Sequence, residues 1–166
     1  MKLVDITFYI FILCMLISCN APKEEPQEIV STVTLQQPKA PVFHESHEPK
    51  KQNVPFSDAV QVGNTFYLSG QIGMDHATRE LVPGGIVAET EQTLKNIKAV
   101  LKHHSLEMQD VVKATVILDT IADFSAFNEV YVQYFPQKPA RTTFAAEALA
   151  MGAKIEIEVM AVAKGQ

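Results

Sequence analysis

The stretch from Val111 to Leu118 (VVKATVIL) constrains the fold more than any other part of the chain. It is rich in β-branched residues and almost wholly apolar, which is typical of a buried strand. Such a strand needs neighbouring strands at its edges and a second layer of structure over its face. The sequence on either side therefore has to supply the rest of a sheet and its covering helices.

The flanking sequence predicts those elements. Alternating apolar residues in Ala59 to Met74 surround a Gly-Asn turn and predict a β-hairpin. Apolar or small residues recur every three or four positions from Ile86 to His104, which predicts an amphipathic helix. A second helix is predicted from about Ala122 to Phe135, followed by two closing strands, Thr142 to Ala146 and Ile155 to Ala163. The order β-β-α-β-α-β-β predicts an α+β domain with two helices on one face of a mixed sheet.

The N-terminus has the pattern of a targeting segment. Ile6 to Ile17 is an apolar run shorter than the roughly 20 residues of a membrane-spanning helix, which is typical of a signal peptide. It ends in Leu-Ile-Ser-Cys19, which resembles a bacterial lipobox. The resemblance implies removal of residues 1–18 and attachment of lipid to the Cys19 sulfur. An ordinary signal peptide or an uncleaved anchor is the alternative.

If the lipobox is used, the protein is expected in the bacterial cell envelope, anchored by lipid on the periplasmic face of a membrane and touching the membrane only through that anchor. Residues 19–52 hold five of the nine prolines among Glu, Lys, Gln and Ser, which predicts a disordered tether after Cys19. His44 and His47 are expected on the solvated surface of that tether. The folded domain is then predicted to comprise residues 53–166.

Charge and cysteine content exclude several classes of function. The folded domain has nine Lys and Arg against thirteen Asp and Glu, so it offers no basic surface for a phosphate backbone and nucleic acid is not an expected partner. Both cysteines lie in the N-terminal segment, which excludes a disulfide or a thiolate metal site within the domain. Neither a metal nor a cofactor is expected.

Short motifs along the domain occur in an order that resembles the YjgF (RidA) family. Each motif is weak alone, but together they cover nearly all of residues 53–165. The motifs are PFSDAV (55–60), YLSGQI (67–72), TLKNIKAVL (93–101), DVVK (110–113), FNEVY (127–131), PART (139–142) and KIEIE (154–158). The resemblance implies a chorismate-mutase-like α+β domain that forms a homotrimer, with sites in the clefts between subunits.

The resemblance also implies a set of site residues. The Arg that matches Arg141 holds the carboxylate of a 2-imino acid in the family, and a guanidinium binds a carboxylate through two parallel hydrogen bonds. The Glu that matches Glu156 positions the water that attacks the imine carbon, and a carboxylate can pass a proton from water to the departing amine. The other matching positions are Ser69, Gly70, Phe56, Asn128 and Thr143.

Each of these residues also has a structural alternative. Arg141 could form a surface salt bridge, and the alternation of Ile and Glu around Glu156 would suit any half-solvated strand. Ser69 and Gly70 could form a strand bulge. Asn128 could be a hydrogen-bonding residue on a helix face, and Thr143 a strand residue whose carbonyl matters more than its side chain.

The implied activity is hydrolysis of reactive 2-imino or enamine acids to 2-oxo acids and ammonia, acting on a small carboxylate-bearing substrate. An imine is already electrophilic, so the reaction needs orientation and proton transfer rather than a cofactor. Phe56 stands where the family pattern has Tyr, and the lost hydroxyl implies an altered substrate or reduced activity. The alternative is a non-catalytic trimer of the envelope that binds small carboxylates or a protein partner.

Overall fold

A six-stranded mixed sheet lies at the centre of the region that the computed structural model describes, residues 39–51 and 53–165. Its spatial order is β1-β2-β3-β8-β6-β7, in which β6 and β7 are parallel and all other neighbours antiparallel. A separate two-stranded hairpin joins β4 to β5. The strands are β1 (Val42–His44), β2 (Ala59–Val62), β3 (Thr65–Ile72), β4 (Met74–Asp75), β5 (Glu80–Leu81), β6 (Val111–Leu118), β7 (Ala140–Ala145) and β8 (Ile155–Val162).

Two helices cover one face of the sheet, which confirms the predicted α+β class. They are α1 (Gly85–His103) and α2 (Phe124–Tyr134). The apolar and small stripe predicted for α1 is fully buried against the sheet and α2: Thr90, Thr93, Leu94, Ile97, Val100 and Leu101. Four short 3₁₀ turns complete the described elements: Pro49–Lys51, Met108–Asp110, Ile121–Asp123 and Ala150–Gly152.

Alternation along β8 gives the sheet two chemically different faces. Its odd-numbered residues, from Ile155 to Ala161, are buried beneath the helices. Glu156, Glu158 and Met160 point the other way, because successive strand residues face opposite sides. This second side, which we call the open face, is not covered by either of the two described helices. On this face Val60 of β2 pairs with Tyr67 of β3, which pairs with Met160 of β8. Tyr67 is 44% exposed.

The folded domain begins earlier than the sequence predicts. The predicted tether over residues 19–52 is wrong for residues 42–51, because β1 pairs with β2 and the turn that follows buries Glu48 and Lys51. Backbone pairing and ion pairs hold this segment, and neither produces an apolar signal in the sequence. Residues 1–38, which include the predicted signal segment 1–18 and Cys19, lie outside the described residues.

The pairing of β1 also changes the surroundings of two histidines. The rings of His44 and His104 lie 4.5 Å apart, and those of His47 and His103 stack at 4.8 Å. Two histidines expected on a solvated tether therefore pack against the end of α1. Within the described residues, no helix is both long and apolar enough to cross a membrane.

Candidate functional site

A cavity of about 260 Å³ opens beside the middle of the sheet. Three of the residues that the sequence singled out line it: Phe56, Gly70 and Glu156. Ile72, Met74 and Met151 give it apolar walls. A mainly apolar recess with a few polar groups is the usual form of a small-molecule site.

Glu156 is the acidic residue in this cavity. It lies on β8, where its register partners are Ile72 of β3 and Ile117 of β6. Partial burial raises the pKa of the Glu156 carboxyl above its usual 4.5, and the nearby Glu158 raises it further. A carboxylate with a raised pKa is better suited to accept and return a proton near neutral pH.

Gly70 allows Glu156 to take this position. A Cβ atom at residue 70 would lie 2.0 Å from Oε1 of Glu156, far inside van der Waals contact. The pairing of β3 with β8 is irregular between Leu68 and Gln71, so the bulge weighed as an alternative is present and serves the close approach.

Ser69 lies behind the cavity rather than in its lining. Its hydroxyl donates a hydrogen bond to the carbonyl of Ser57 at 2.6 Å, and its N–H donates to the carbonyl of Asp58 at 3.0 Å. These bonds tie the loop that carries Phe56 to the end of β3. Ser69 therefore supports the cavity wall through the backbone of the neighbouring loop.

Arg141 lies on the edge strand β7, where residues of α2 hold its side chain. Its Nη1 donates to Oδ1 of Asn128 at 2.8 Å. Its guanidinium carbon lies 4.7 Å from the ring centre of Tyr131, 5.2 Å from that of Phe127 and 5.6 Å from that of Phe124. Aromatic faces attract a guanidinium, so these contacts fix its plane while leaving donors unoccupied.

Arg141 and Glu156 point to opposite faces of the same sheet. Arg141 pairs in register with Ala114, which is fully buried on the helix side. Glu156 pairs with Ile117, three residues along the same strand and therefore on the open face. Thr143 lies two residues after Arg141 on the helix side, and its Oγ1 is buried without a hydrogen bond to any described residue. One chain therefore does not bring Arg141 and Glu156 together.

Three basic cavity residues were not identified from the sequence: Lys51, His76 and Arg79. They lie in the turn after β1 and in the β4–β5 hairpin, where short polar segments carry no periodic signal. Across residues 39–51 and 53–165, no group of three or more His, Cys, Asp or Glu side chains is arranged to hold a metal ion.

Comparison with known proteins gives close relatives over this domain. A family model described as Endoribonuclease L-PSP matches residues 46–163. A 2-iminobutanoate/2-iminopropanoate deaminase from Capra hircus is 51% identical over 109 residues, which are 65% of this chain and 80% of that protein. The Homo sapiens protein of the same name is 47% identical over the same shares. Protein DfrA from Myxococcus xanthus is 44% identical over 72% of this chain and 93% of its own length.

Solved structures share the fold. A putative endoribonuclease from Thermotoga maritima superposes with a TM-score of 0.70 at 42% identity, covering 75% of this chain and 98% of that one. TdcF from E. coli, solved with bound serine, superposes with a TM-score of 0.68 at 29% identity, covering 74% and 99%.

Proposed function

Because the chain belongs to the Endoribonuclease L-PSP family, which contains the YjgF and RidA proteins, we propose that it hydrolyses 2-imino acids and their enamine tautomers to 2-oxo acids and ammonia. Relatives that are 47–51% identical to it carry the name 2-iminobutanoate/2-iminopropanoate deaminase. The observation that carries the proposal is Glu156, a carboxylate with a raised pKa in a small, largely apolar cavity.

Glu156 would act on both halves of the reaction. Its carboxylate accepts a proton from water while the water oxygen bonds to the imine carbon and the C=N electron pair moves to nitrogen. The carboxyl then passes that proton to the nitrogen, which gives a carbinolamine and restores the carboxylate. In the second half the carboxylate takes the hydroxyl proton of the carbinolamine and passes it to the departing nitrogen, while the C=O bond forms and the C–N bond breaks. The net change is imine plus water to oxo acid plus ammonia, so no redox partner is required.

Arg141 would hold the carboxylate of the substrate. Asn128 and the three aromatic rings fix the guanidinium plane, so two parallel hydrogen bonds could form with little further loss of side-chain freedom. The serine bound to the related TdcF is also a small carboxylate-bearing molecule. Anchoring the carboxylate would place the imine carbon at a fixed distance from the attacking water.

The opposed directions of Arg141 and Glu156 support a site shared between subunits. We propose a homotrimer in which Arg141 at the edge of one subunit meets the cavity of the next. The open face has apolar side chains for such an interface, including Tyr67 at 44% and Phe144 at 45% exposure. A face of this kind is usually covered by a partner.

The direct test is to generate 2-iminobutanoate enzymatically and to follow its disappearance with and without the protein. We expect faster loss with the wild type, and strongly reduced loss with Glu156→Gln and with Arg141→Ala. Equal rates with and without wild-type protein would contradict the proposal. Carboxylate binding without turnover would instead support the non-catalytic binding protein.

The shared site is tested by mixing the two inactive variants. If Arg141→Ala and Glu156→Gln chains are refolded together, about one quarter of wild-type activity should return, since each mixed trimer contains one intact pair. Either variant refolded alone is the control. No recovery from the mixture, with trimers present, would show that the two residues do not work across an interface.

We also propose that Cys19 is lipidated and holds the domain at the cell envelope. The support is the apolar run followed by Leu-Ile-Ser-Cys19 in the sequence. Mass spectrometry of protein extracted from membranes should find a lipid-modified Cys19 as the first residue. A mature chain that begins at any other residue would overturn this proposal.

A further inference from the structure

The cavity that contains Glu156 is also lined by three basic side chains, Lys51, His76 and Arg79. Lys51 comes from the turn after β1, and the other two come from the β4–β5 hairpin. We call this group the basic wall. Nothing in the hydrolysis of the smallest 2-imino acids requires it, because Arg141 already accounts for the carboxylate on the reacting side.

Two buried carboxylates outside the cavity lining orient the basic wall. Asp58 is 1% exposed and forms an ion pair with Lys51, with Nζ 2.5 Å from Oδ1. Glu48 is 7% exposed, and its Oε1 lies 2.9 Å from Nδ1 of His76. Its Oε2 lies 3.8 Å from Nη1 of Arg79. Supporting groups of this kind fix the direction of the side chains that meet a ligand.

Arg79 keeps its hydrogen-bonding capacity. At 3.8 Å its contact with Glu48 is an ion pair beyond hydrogen-bond length, and its guanidinium makes no hydrogen bond to any other described residue. A planar guanidinium with unoccupied donors matches the geometry of a carboxylate. Since Asp58 and Glu48 offset the formal charges of Lys51 and Arg79, an acid would be recognised by these donors rather than by a positive field.

The backbone conformation of Arg79 also supports a ligand-binding role. Its φ is 67°, in the left-handed region where glycine is the usual residue, and its N–H closes the turn onto the carbonyl of Asp75 at 2.8 Å. A non-glycine residue at such a position carries a backbone cost. Non-glycine residues in this region often occur at ligand-binding sites.

The size of the cavity agrees with a longer ligand. Its volume is about 260 Å³, many times the space that a single water molecule needs, so the smallest 2-imino acids would fill only part of it. We infer that the preferred substrate is a 2-imino dicarboxylic acid whose second carboxylate binds Arg79, with Lys51 and His76 beside it. This inference rests on the proposed function, in which Arg141 takes the first carboxylate.

Binding of stable product analogues to the full chain tests the inference without relying on turnover. By calorimetry, 2-oxoglutarate should bind at least about tenfold more tightly than 2-oxobutanoate. Arg79→Gln should remove most of that preference, because it should weaken the binding of 2-oxoglutarate far more than that of 2-oxobutanoate. Lys95→Gln, which removes a positive charge from an exposed ion pair on α1, is the matched control and should change neither affinity.

A second measurement follows the imidazole of His76 by NMR. Its pKa lies below the usual 6.5, because it is buried and close to Lys51 and Arg79. A carboxylate bound at the basic wall should raise that pKa, and 2-oxobutanoate should not. Equal binding of both acids, or an unchanged preference in Arg79→Gln, would overturn the inference. If the wild type hydrolysed no imine, the proposed function would fail, while these binding results would still decide whether a dicarboxylate site exists.

Discussion

A Cβ atom at Gly70 would lie 2.0 Å from Oε1 of Glu156, so the carboxylate can occupy its present position only because residue 70 has no side chain. The glycine belongs to β3 and the glutamate to β8, at the point where the pairing of the two strands is irregular. The direction of the Glu156 carboxylate is therefore determined by the neighbouring strand as well as by its own.

Gly70→Ala should displace this carboxylate. We expect kcat for imine hydrolysis to fall by about 100-fold, since misplacing a reacting group by about 1 Å can have that effect. Overpacking should also lower the free energy of unfolding by about 1–3 kcal/mol. Gly165→Ala, where an added Cβ meets open space, is the matched control. Unchanged kcat in Gly70→Ala would show that the position of Glu156 does not limit the reaction.

Glu158→Gln should move the pH dependence of the reaction. Burial is the main cause of the raised pKa of Glu156, and the charge of Glu158 is the second. Since the base form of Glu156 is needed, activity should fall as the pH drops through its pKa. Removing the Glu158 charge lowers that pKa, so the acid limb of kcat against pH should shift to lower pH. Glu91→Gln, on the exposed side of α1, should leave the limb in place.

Arg141→Lys should separate charge from geometry. Lysine keeps the positive charge but cannot form two parallel hydrogen bonds, so we expect kcat/KM to fall by about 10- to 100-fold. The variant also loses the ring contacts with Phe127 and Tyr131, so thermal unfolding should be measured alongside the kinetics. Lys98→Ala, on the exposed side of α1, is the control. Wild-type kcat/KM in Arg141→Lys would mean that the two parallel hydrogen bonds are not needed.

The helices and strands follow closely from the sequence, because they depend on local periodicity. The buried stripe of α1 and the strand Val111–Leu118 agree with the pattern almost residue for residue. Strand β1 was missed because it has only three residues, in a Pro-rich and largely polar segment, and joins the sheet through its backbone, which leaves no trace in hydrophobic spacing. Arg79 was missed for a related reason, since only the tertiary fold brings its hairpin beside Glu156.

The relation between Arg141 and Glu156 also lies beyond the sequence. Alternation shows that both Glu156 and Glu158 leave the core side of β8, but the face of Arg141 depends on the parallel register of β7 against β6. Register between distant strands is set by packing of the whole sheet. The opposed directions of the two side chains, and hence the argument for a shared site, required the structure.

Stability should fall as the solution becomes mildly acidic. The pKa of His104 is held below the usual 6.5 by burial, and the nearby His44, His103 and His47 add to the effect. The unfolded chain therefore takes up a proton first, and the folded state loses stability as the pH falls below about 6.5. Glu48 and Glu156, whose pKa values are raised, oppose this trend as they take up protons in the folded state.

Urea unfolding at several values between about pH 7.5 and about pH 5.5 would measure this effect. His104→Asn should show a smaller loss in the free energy of unfolding over that range than the wild type. Lys102→Asn, at an exposed position two residues earlier, should follow the wild type. An identical pH dependence in the His104 variant would mean that this histidine titrates as freely in the folded protein as in the unfolded chain.

The pairing of β1 with β2 has a practical consequence for any shortened form of the protein. A chain trimmed to begin at residue 53 would lack Lys51 and leave the carboxylate of Asp58 without the cation that pairs with it. It would also expose the edge of β2 that pairs with β1, and an exposed strand edge can pair with a strand of another molecule. Such a fragment is expected to aggregate, whereas one that starts ahead of Val42 would keep both the ion pair of Lys51 with Asp58 and the pairing of β1 with β2.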